Sequence, residues 1–450
     1  MEINVFRDKI FTEAKDMGIT ELELYYEKEN QFSCEIFKGE MDGYKSSTVN
    51  GVSVRGLVED RMGYAYTEKL DDESISFLLN NLKENAALME NEPEEIYPGD
   101  ERYEDIDFYS ASLAEVTPEE KLDFLKEVEK KIYDYDSRVI QTDMATLQDT
   151  TIEKAIYNNK GLSLKDRNNL LIVVFSVVVK EGEEIKSDFH VEITQDFHSL
   201  DTDDFAKQAV ENVLSHLGGK TYETKGYPVI FKNIAAASLL DAFTSSFSAE
   251  SVQQGQSLLR GKLGETIASE LVTLTDNPFM KESIESRTFD SEGVATRKTA
   301  VVDKGRLETF FHNLKTAKKD GVTSTGHGYK PSHKDTIGIS PSNLFIEPGE
   351  ASYEQLSESL DEGIIITNLA GLHSGASAIS GDFSLAANGY YVKDGKIISP
   401  AKLMTVAGNF FDLLHDIEQI GNDLKFTPMG MQGNIGSPSL KVKRLSIAVD

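Results

Sequence analysis

Residues Gly363 to Asn409 read GIIITNLAGLHSGASAISGDFSLAANGYYVKDGKIISPAKLMTVAGN, and this stretch decides how the second half of the chain is built. It opens on the apolar run Ile364 to Ile366. From Gly371 to Gly389 it then consists of Gly, Ser, Ala, Asn and Asp with only isolated apolar residues between them. Loops of that length are uncommon in compact domains. The glycines at 371, 375, 381 and 389 permit backbone angles closed to other residues and let a second segment approach closely. Lys393-Asp394-Gly395-Lys396 stands between YYV and IIS, where Asp-Gly accepts the positive φ of a tight reversal. The expectation is a small-residue loop feeding an antiparallel hairpin. Two uses fit such a loop: a surface facing a peptide or ligand, or close packing against neighbouring backbone.

Around this stretch, short apolar runs predict further strands at 299–303, 306–312, 364–369, 390–392, 397–399, 402–407 and 440–448, with a short helix over 410–420. Upstream, Ala, Leu and Ser predict a buried helix over 233–248, continued in pieces over 252–263 and 265–271. The polar, glycine-bearing joint at 218–226 separates all this from an N-terminal half of different pattern.

In that half, helices are expected over 3–17, 71–88, 118–133 and 201–217, each with an apolar stripe. Thr117-Pro118-Glu119-Glu120 supplies a cap, a proline at the first helical position and a glutamate three residues on. Alternation predicts strands at 20–27, 31–37, 49–58, 137–145, 150–158, 162–165, 169–180 and 185–193, with turns at 59–63 and 159–161. The acidic, proline-bearing segment 91–107 reads as an exposed connector. The fold class is therefore α+β in two domains: residues 1–220, helices on a sheet, and residues 221–450, a largely antiparallel sheet with helices.

Composition narrows the function. The 450 residues carry 76 acidic against 46 basic side chains, a formal charge of −30, which repels nucleic acid and anionic membrane. The single Cys34 excludes an internal disulfide and cysteine-rich zinc motifs. The longest apolar run, Leu170 to Val179, is ten residues broken only by Ser176, whereas a spanning helix needs about 20. The N-terminus lacks the layout of a signal peptide. The expected location is the cytoplasm.

Eight histidines are present, none in His-Glu-x-x-His. His327 and His333 fall in glycine-bearing loop sequence and are expected to face solvent. His373-Ser374 puts a base beside a nucleophile, but on extended chain adjacent residues point to opposite faces, so a shared proton is not expected. In QQGQSLLRGKLGE, Gly255 and Gly261-Lys262 do not make a phosphate loop, because Leu263 follows where Ser or Thr is required and the spacing is one residue too long.

These segments, in this order, resemble the TldD/PmbA family along essentially the whole chain. The resemblance rests on GVSVRGLVEDRMGYAYT, SLLRGKLGETIASELVTLTDNP, STGHG, ISPSNLFIEPG, the block from Gly371 to Asn409, and IEQIGNDL. In the TldD-like branch a helical His-Glu-x-x-x-His and a C-terminal cysteine hold a catalytic metal. The matching slot here reads Asp241-Ala242-Phe243-Thr244-Ser245-Ser246, and PMGMQGNIGSPSL has no cysteine. Asp241, Ala242 and Ser246 thus form a degenerate slot, since a zinc hydrolase needs about three protein ligands and a base.

The resemblance implies the PmbA branch, also called TldE: a subunit that is not catalytic by itself, binds no cofactor, and pairs with a zinc-bearing TldD-like partner to enclose unfolded peptides. When isolated it is expected as a homodimer. Peptide- or partner-facing candidates are His373, Ser374, Asp382 and Asn409; Asp382 also reads as a turn residue and Asn409 as a helix cap. Two alternatives stand beside this reading. One is a stand-alone metallopeptidase with a site drawn from His327, His333, His373 or Asp241; the other is a regulatory binding protein.

Overall fold

The computed structural model describes residues 1–88, 95–427 and 433–449. Of the expected connector, 91–94 lie outside the described residues, and 95–107 run without helix or strand to an isolated bridge at Phe108.

Six strands build the N-terminal sheet: β1 Glu21–Phe37, β2 Glu40–Val58, β3 Arg61–Thr67, β4 Val139–Asn158, β5 Ser163–Glu181 and β6 Glu184–Thr194. They lie in the order β3-β2-β1-β4-β5-β6, each pair antiparallel. The breaks expected at 28–30, 146–149 and 166–168 do not occur. The polar residues there stay in the ladder, with Lys28 opposite Glu153, Gln148 opposite Ile172 and Asn168 opposite Ile152. Backbone pairing needs no apolar side chain, so local composition understated the strand lengths.

Alternation assigns the two faces of this sheet. Leu22, Leu24, Cys34 and Ile36 of β1 turn toward helices. The helices are α1 Ile3–Asp16, α2 Asp72–Leu88, the short α3 Ala111–Glu115, α4 Pro118–Tyr135 and α5 Thr202–Leu214. Phe6, Ile10, Leu78 and Leu82 pack against Leu22, Leu24, Val52 and Val54 at one end. Phe124, Val128, Val210 and Val213 pack against Leu147, Val173 and Phe175 at the other. Thr117 and Glu120 form the expected capping box at the start of α4, Thr117 accepting from Glu120 N at 3.3 Å and Glu120 accepting from Thr117 N at 2.8 Å. The opposite face, carrying Glu23, Tyr25, Ser53 and Arg55, meets residues 289–333 of the C-terminal half.

Among the described residues the C-terminal half has two large sheets and a two-stranded one, Gly328–Tyr329 with Gly338–Ile339. A six-stranded sheet includes Leu274–Asp276, Thr299–Asp303 and Asn343–Ile346. The other large sheet is seven-stranded and largely antiparallel, as expected; Lys225–Phe231 runs parallel to Glu362–Ala370 and antiparallel to Leu440–Val449. Asp382–Lys393 pairs with Glu362–Ala370 as well as with Met404–Asn409, so five of its strands close into a ring. At Gly389, a β-carbon would collide with the Ile365 carbonyl oxygen, so this closure depends on glycine. The hairpin turn falls at Asp394 and Gly395, with φ of 50° and 70°.

Three expectations are corrected here. The glycine-rich stretch is not one long loop: it ends at Gly381, and Asp382 begins a strand whose residues alternate between exposed and buried. The helix from Asn233 stops at Phe243, and after a 3-10 turn and the short helix Ala249–Gln253 the residues 254–271 contain no helix; Gly255, Gly261 and Gly264 take positive φ of 74°, 79° and 81°. The helix from Phe410 ends at His415, because Ile417–Ile420 is drawn into pairing with Leu440–Val449. Among the described residues no helix is long and apolar enough to cross a membrane.

Candidate functional site

The slot sits at the C-terminal end of α6, Asn233–Phe243, a helix rich in Ala and Leu whose buried side chains join the main C-terminal core. Asp241 is buried on this helix, Ala242 is half-buried, and Ser246 lies fully buried in the 3-10 turn that follows. The Ser246 hydroxyl donates to the Ala378 carbonyl at 3.1 Å, and the Ser257 hydroxyl donates to the Ser246 carbonyl at 2.7 Å. Ser246 therefore ties α6 to two loops, the glycine-rich one at 371–381 and the one at 254–264.

The glycine-rich loop bonds part of its own backbone. Gly375 N donates to Gly371 O at 2.7 Å, Ser377 N to Asp382 O at 2.9 Å and Gly381 N to Ser377 O at 2.8 Å. His373 and Ser374 stand exposed in a single helical turn, Leu372–Gly375, rather than on extended chain. The Ser374 hydroxyl turns back to Gly371 O at 3.3 Å. Asp382 and Asn409 do come together as a cross-strand pair. Asn409 Nδ2 donates to Ser380 O at 2.9 Å and to Asp382 Oδ1 at 3.0 Å, while its Oδ1 caps Phe411 N at 3.0 Å. The bond from Asn409 holds the exposed Asp382 carboxyl below its ordinary range. Replacing Asn409 with alanine is expected to cost about 1 kcal/mol and to speed amide exchange across 377–382, measured by hydrogen–deuterium exchange.

The residues offered for a non-standard metal site are not brought together. His327 bonds Asp276 through Nε2 at 3.1 Å and Thr325 through Nδ1 at 2.8 Å. His333 packs against Gly51 and the Tyr66 ring. Both are buried, correcting the expectation that they face solvent, because their partners lie far away in sequence. Among the described residues no three His, Cys, Asp or Glu side chains are placed to hold a metal ion. The Thr325-His327-Asp276 array has the order of a hydrolytic triad, but it is sealed: the three residues are 6%, 1% and 2% exposed. The Thr325 hydroxyl also accepts from His312 N at 2.7 Å and donates to His312 O at 3.2 Å. Burial alone would raise the Asp276 carboxyl; the bonds from His327 and Ser342 outweigh it and hold it below its ordinary value.

Zinc does not fit the slot on this geometry. Ala242 has no ligating atom, and the Ser246 hydroxyl is spent on a carbonyl. Asp241 would be left as a single carboxylate, well short of the usual ligand set.

A second polar constellation, not anticipated from sequence, lies between the two halves. Arg55 grips Glu23 through Nε at 2.7 Å and Nη2 at 3.1 Å, and reaches Glu292 through Nη1 at 3.5 Å. Glu292 also accepts from Leu314 N at 2.7 Å. Asp290 accepts from the amides of Glu292, Val294 and Gly328 at 2.9, 3.0 and 2.8 Å. Lys330 donates to Ser53 at 2.6 Å and lies over the Tyr25 ring. All five charged residues are buried. Burial pushes Glu292 up to about 8 and Asp290 up to about 6, and it pulls Lys330 down to about 8. The sequence signal for this seam was the arginine in GVSVRGLV, a charge at a register where an apolar strand is covered on both faces.

Family models match in chain order: the PmbA/TldA metallopeptidase domain 1 over residues 22–86, the central domain over 111–217 and the C-terminal domain over 224–449. The chain belongs to the TldD/PmbA family. Metalloprotease PmbA of Escherichia coli O157:H7 is 25% identical over 411 residues, covering 90% of this chain and 88% of that protein. A metalloprotease TldD homolog of Buchnera aphidicola subsp. Schizaphis graminum is 26% identical over 424 residues, covering 88% and 86%. A Thermotoga maritima crystal structure, described as a candidate modulator of a DNA gyrase, superposes with a TM-score of 0.91 at 31% identity, covering 99% of this chain and 100% of that one. TldE from Thermococcus kodakarensis shares the fold, with a TM-score of 0.89 at 23% identity over 98% and 100%. Relatives named PmbA and relatives named TldD thus stand at nearly equal identity to this chain.

Proposed function

We propose that this chain is the non-catalytic, PmbA/TldE-like subunit of a TldD/TldE-type metallopeptidase complex that degrades or processes unfolded peptides in the cytoplasm. The observation that carries the reading is the slot itself. Where a hydrolytic cation would need imidazoles and a base, α6 and its following turn offer Asp241, Ala242 and a serine already bonded to Ala378. Zinc belongs in this reading to a TldD-like partner, and the present chain forms a homodimer only when that partner is missing. The exposed side chains of His373 and Ser374, on a loop that bonds part of its own backbone, support a wall that meets peptides.

The test is metal analysis of the purified chain, followed by hydrolysis of unfolded casein by the chain alone, by a TldD-like partner alone and by the two together, with and without chelator. The expected result is no stoichiometric zinc in this chain, and chelator-sensitive cleavage only when the partner is present. Chelator-sensitive cleavage by the isolated chain with one zinc per molecule would overturn the proposal in favour of a stand-alone metallopeptidase.

A further inference from the structure

Ser246 holds two loops side by side. The Ser257 hydroxyl of one donates to its carbonyl, and the Ala378 carbonyl of the other accepts from its hydroxyl. The next residue on each loop is a large apolar side chain turned to solvent: Leu258 is 47% exposed and Ile379 is 60% exposed. Single exposed apolar residues are ordinary; these two stand on neighbouring loops, each next in sequence to a residue bonded to the same buried serine.

The same loop carries Arg260 and Lys262, both exposed. Tight turns hold them, with Arg260 N bonded to Ser257 O at 3.3 Å, Lys262 N bonded to Leu259 O at 3.0 Å and Gly261 at a φ of 79°. Neither side chain has a carboxylate or hydrogen-bond partner among the described residues, although the chain has 76 acidic side chains against 46 basic. Other exposed lysines, such as Lys45 and Lys130, are also free of carboxylates among the described residues; what sets Arg260 and Lys262 apart is that they share a loop with Leu258, so in a chain of charge −30 they offer carboxylates an attraction next to an exposed apolar side chain.

We infer that Leu258 and Ile379, with Arg260 and Lys262, form a docking site for an extended peptide segment that presents an apolar side chain next to carboxylates. The inference rests on the peptide-handling reading and adds a substrate class to it. Size favours a peptide over a subunit: a stable subunit contact takes about 20–30 residues a side, and this cluster is far smaller. Leucine and isoleucine seat the apolar side chain, and the cations steer and select the acidic neighbour.

The experiment measures fluorescence anisotropy of labelled synthetic peptides on the full chain at low and high salt. The peptides share spaced leucines and differ in having Glu, Ser or Lys between them. The acidic peptide is expected to bind about tenfold more tightly than the basic one, with the difference shrinking in salt. Arg260→Glu with Lys262→Glu should reverse the order, and Leu258→Ser with Ile379→Ser should weaken both the acidic and the neutral peptide. A distant pair, Lys45→Glu with Lys130→Glu, should leave the order unchanged.

Equal binding of all three peptides, unaffected by the reversal at 260 and 262, would overturn this inference while leaving the peptide-handling reading standing. Absence of binding by every peptide, with or without a TldD-like partner, would overturn both. Loss of subunit assembly in the 260 and 262 variant, with peptide affinities intact, would also overturn it and assign the cluster to a protein interface.

Discussion

Arg55→Met is expected to destabilise the protein by about 3–5 kcal/mol, the range seen when one member of a buried ion pair is removed. Arg55 is 4% exposed and Glu23 is 2% exposed. The two are joined by two hydrogen bonds in the fork geometry that suits guanidinium and carboxylate. Burial by itself would lower the basicity of Arg55, yet Glu23 and then Glu292 raise it above the ordinary range, so the guanidinium stays charged. Methionine fills much of the same volume and carries no charge. The loss therefore reads mainly as the cost of leaving the buried Glu23 carboxyl without its partner. Urea melts followed by far-ultraviolet circular dichroism measure it. The combined change Arg55→Met with Glu23→Leu should recover most of the stability; a single-variant loss below about 1 kcal/mol would mean that water reaches the pair.

The second large effect is a fall in stability as pH rises toward 8. Folding raises Glu292 from its ordinary 4.5 to about 8 and Asp290 from 3.8 to about 6, chiefly by burial. The folded chain thus keeps protons that the unfolded chain releases. The resulting stabilisation is complete below the ordinary carboxylate values and is lost through the window up to about 8. Lys330 acts in the opposite sense above that window. Burial lowers it from 10.5 to about 8, so the folded chain sheds its proton first and regains stability between those values. Glu23 and Arg55 face the same cluster.

Glu292→Gln keeps an oxygen for the Leu314 amide and removes the titration. It should match the native chain near pH 5 and exceed it by about 4 kcal/mol at pH 9, since nearly three tenfold differences in proton affinity between the folded and unfolded chain are lost over that range, each worth about 1.4 kcal/mol. Thermal melts of both chains across that range decide it, and parallel curves would remove Glu292 from the explanation.

Much of the architecture was legible in the residues because the signals were local. The cap at Thr117, the Asp394-Gly395 reversal and the stripes of α1, α2, α4 and α5 need only neighbours a turn away. What failed depended on distant partners. Leu259 and Leu263 are spaced as in a helix, but Gly261 between them and Gly255 and Gly264 on either side adopt left-handed angles, and the Ser257 hydroxyl ties the segment to the Ser246 carbonyl. His327 reads as a loop histidine until Asp276, at a separation of 51 residues, is placed against it. The ring closed by Asp382–Lys393 is invisible locally, because its strands come from both ends of the C-terminal half. At the candidate site, the chemistry of Asp241, Ala242 and Ser246 was readable by resemblance, and Asn409 by its capping type. Leu258, Ile379, Arg260 and Lys262 were not, since their meaning comes from what Ser246 holds together.

The closed ring has a consequence for biosynthesis. Leu440–Val449 bonds both Lys225–Phe231 and Met404–Asn409, yet it leaves the ribosome after both of them. Until it emerges, the nascent C-terminal half carries open β edges that are prone to mispairing with other chains. Production at high rate should therefore favour inclusion bodies unless chaperones shield those edges, whereas the helix-covered N-terminal sheet has all its strands in hand much earlier.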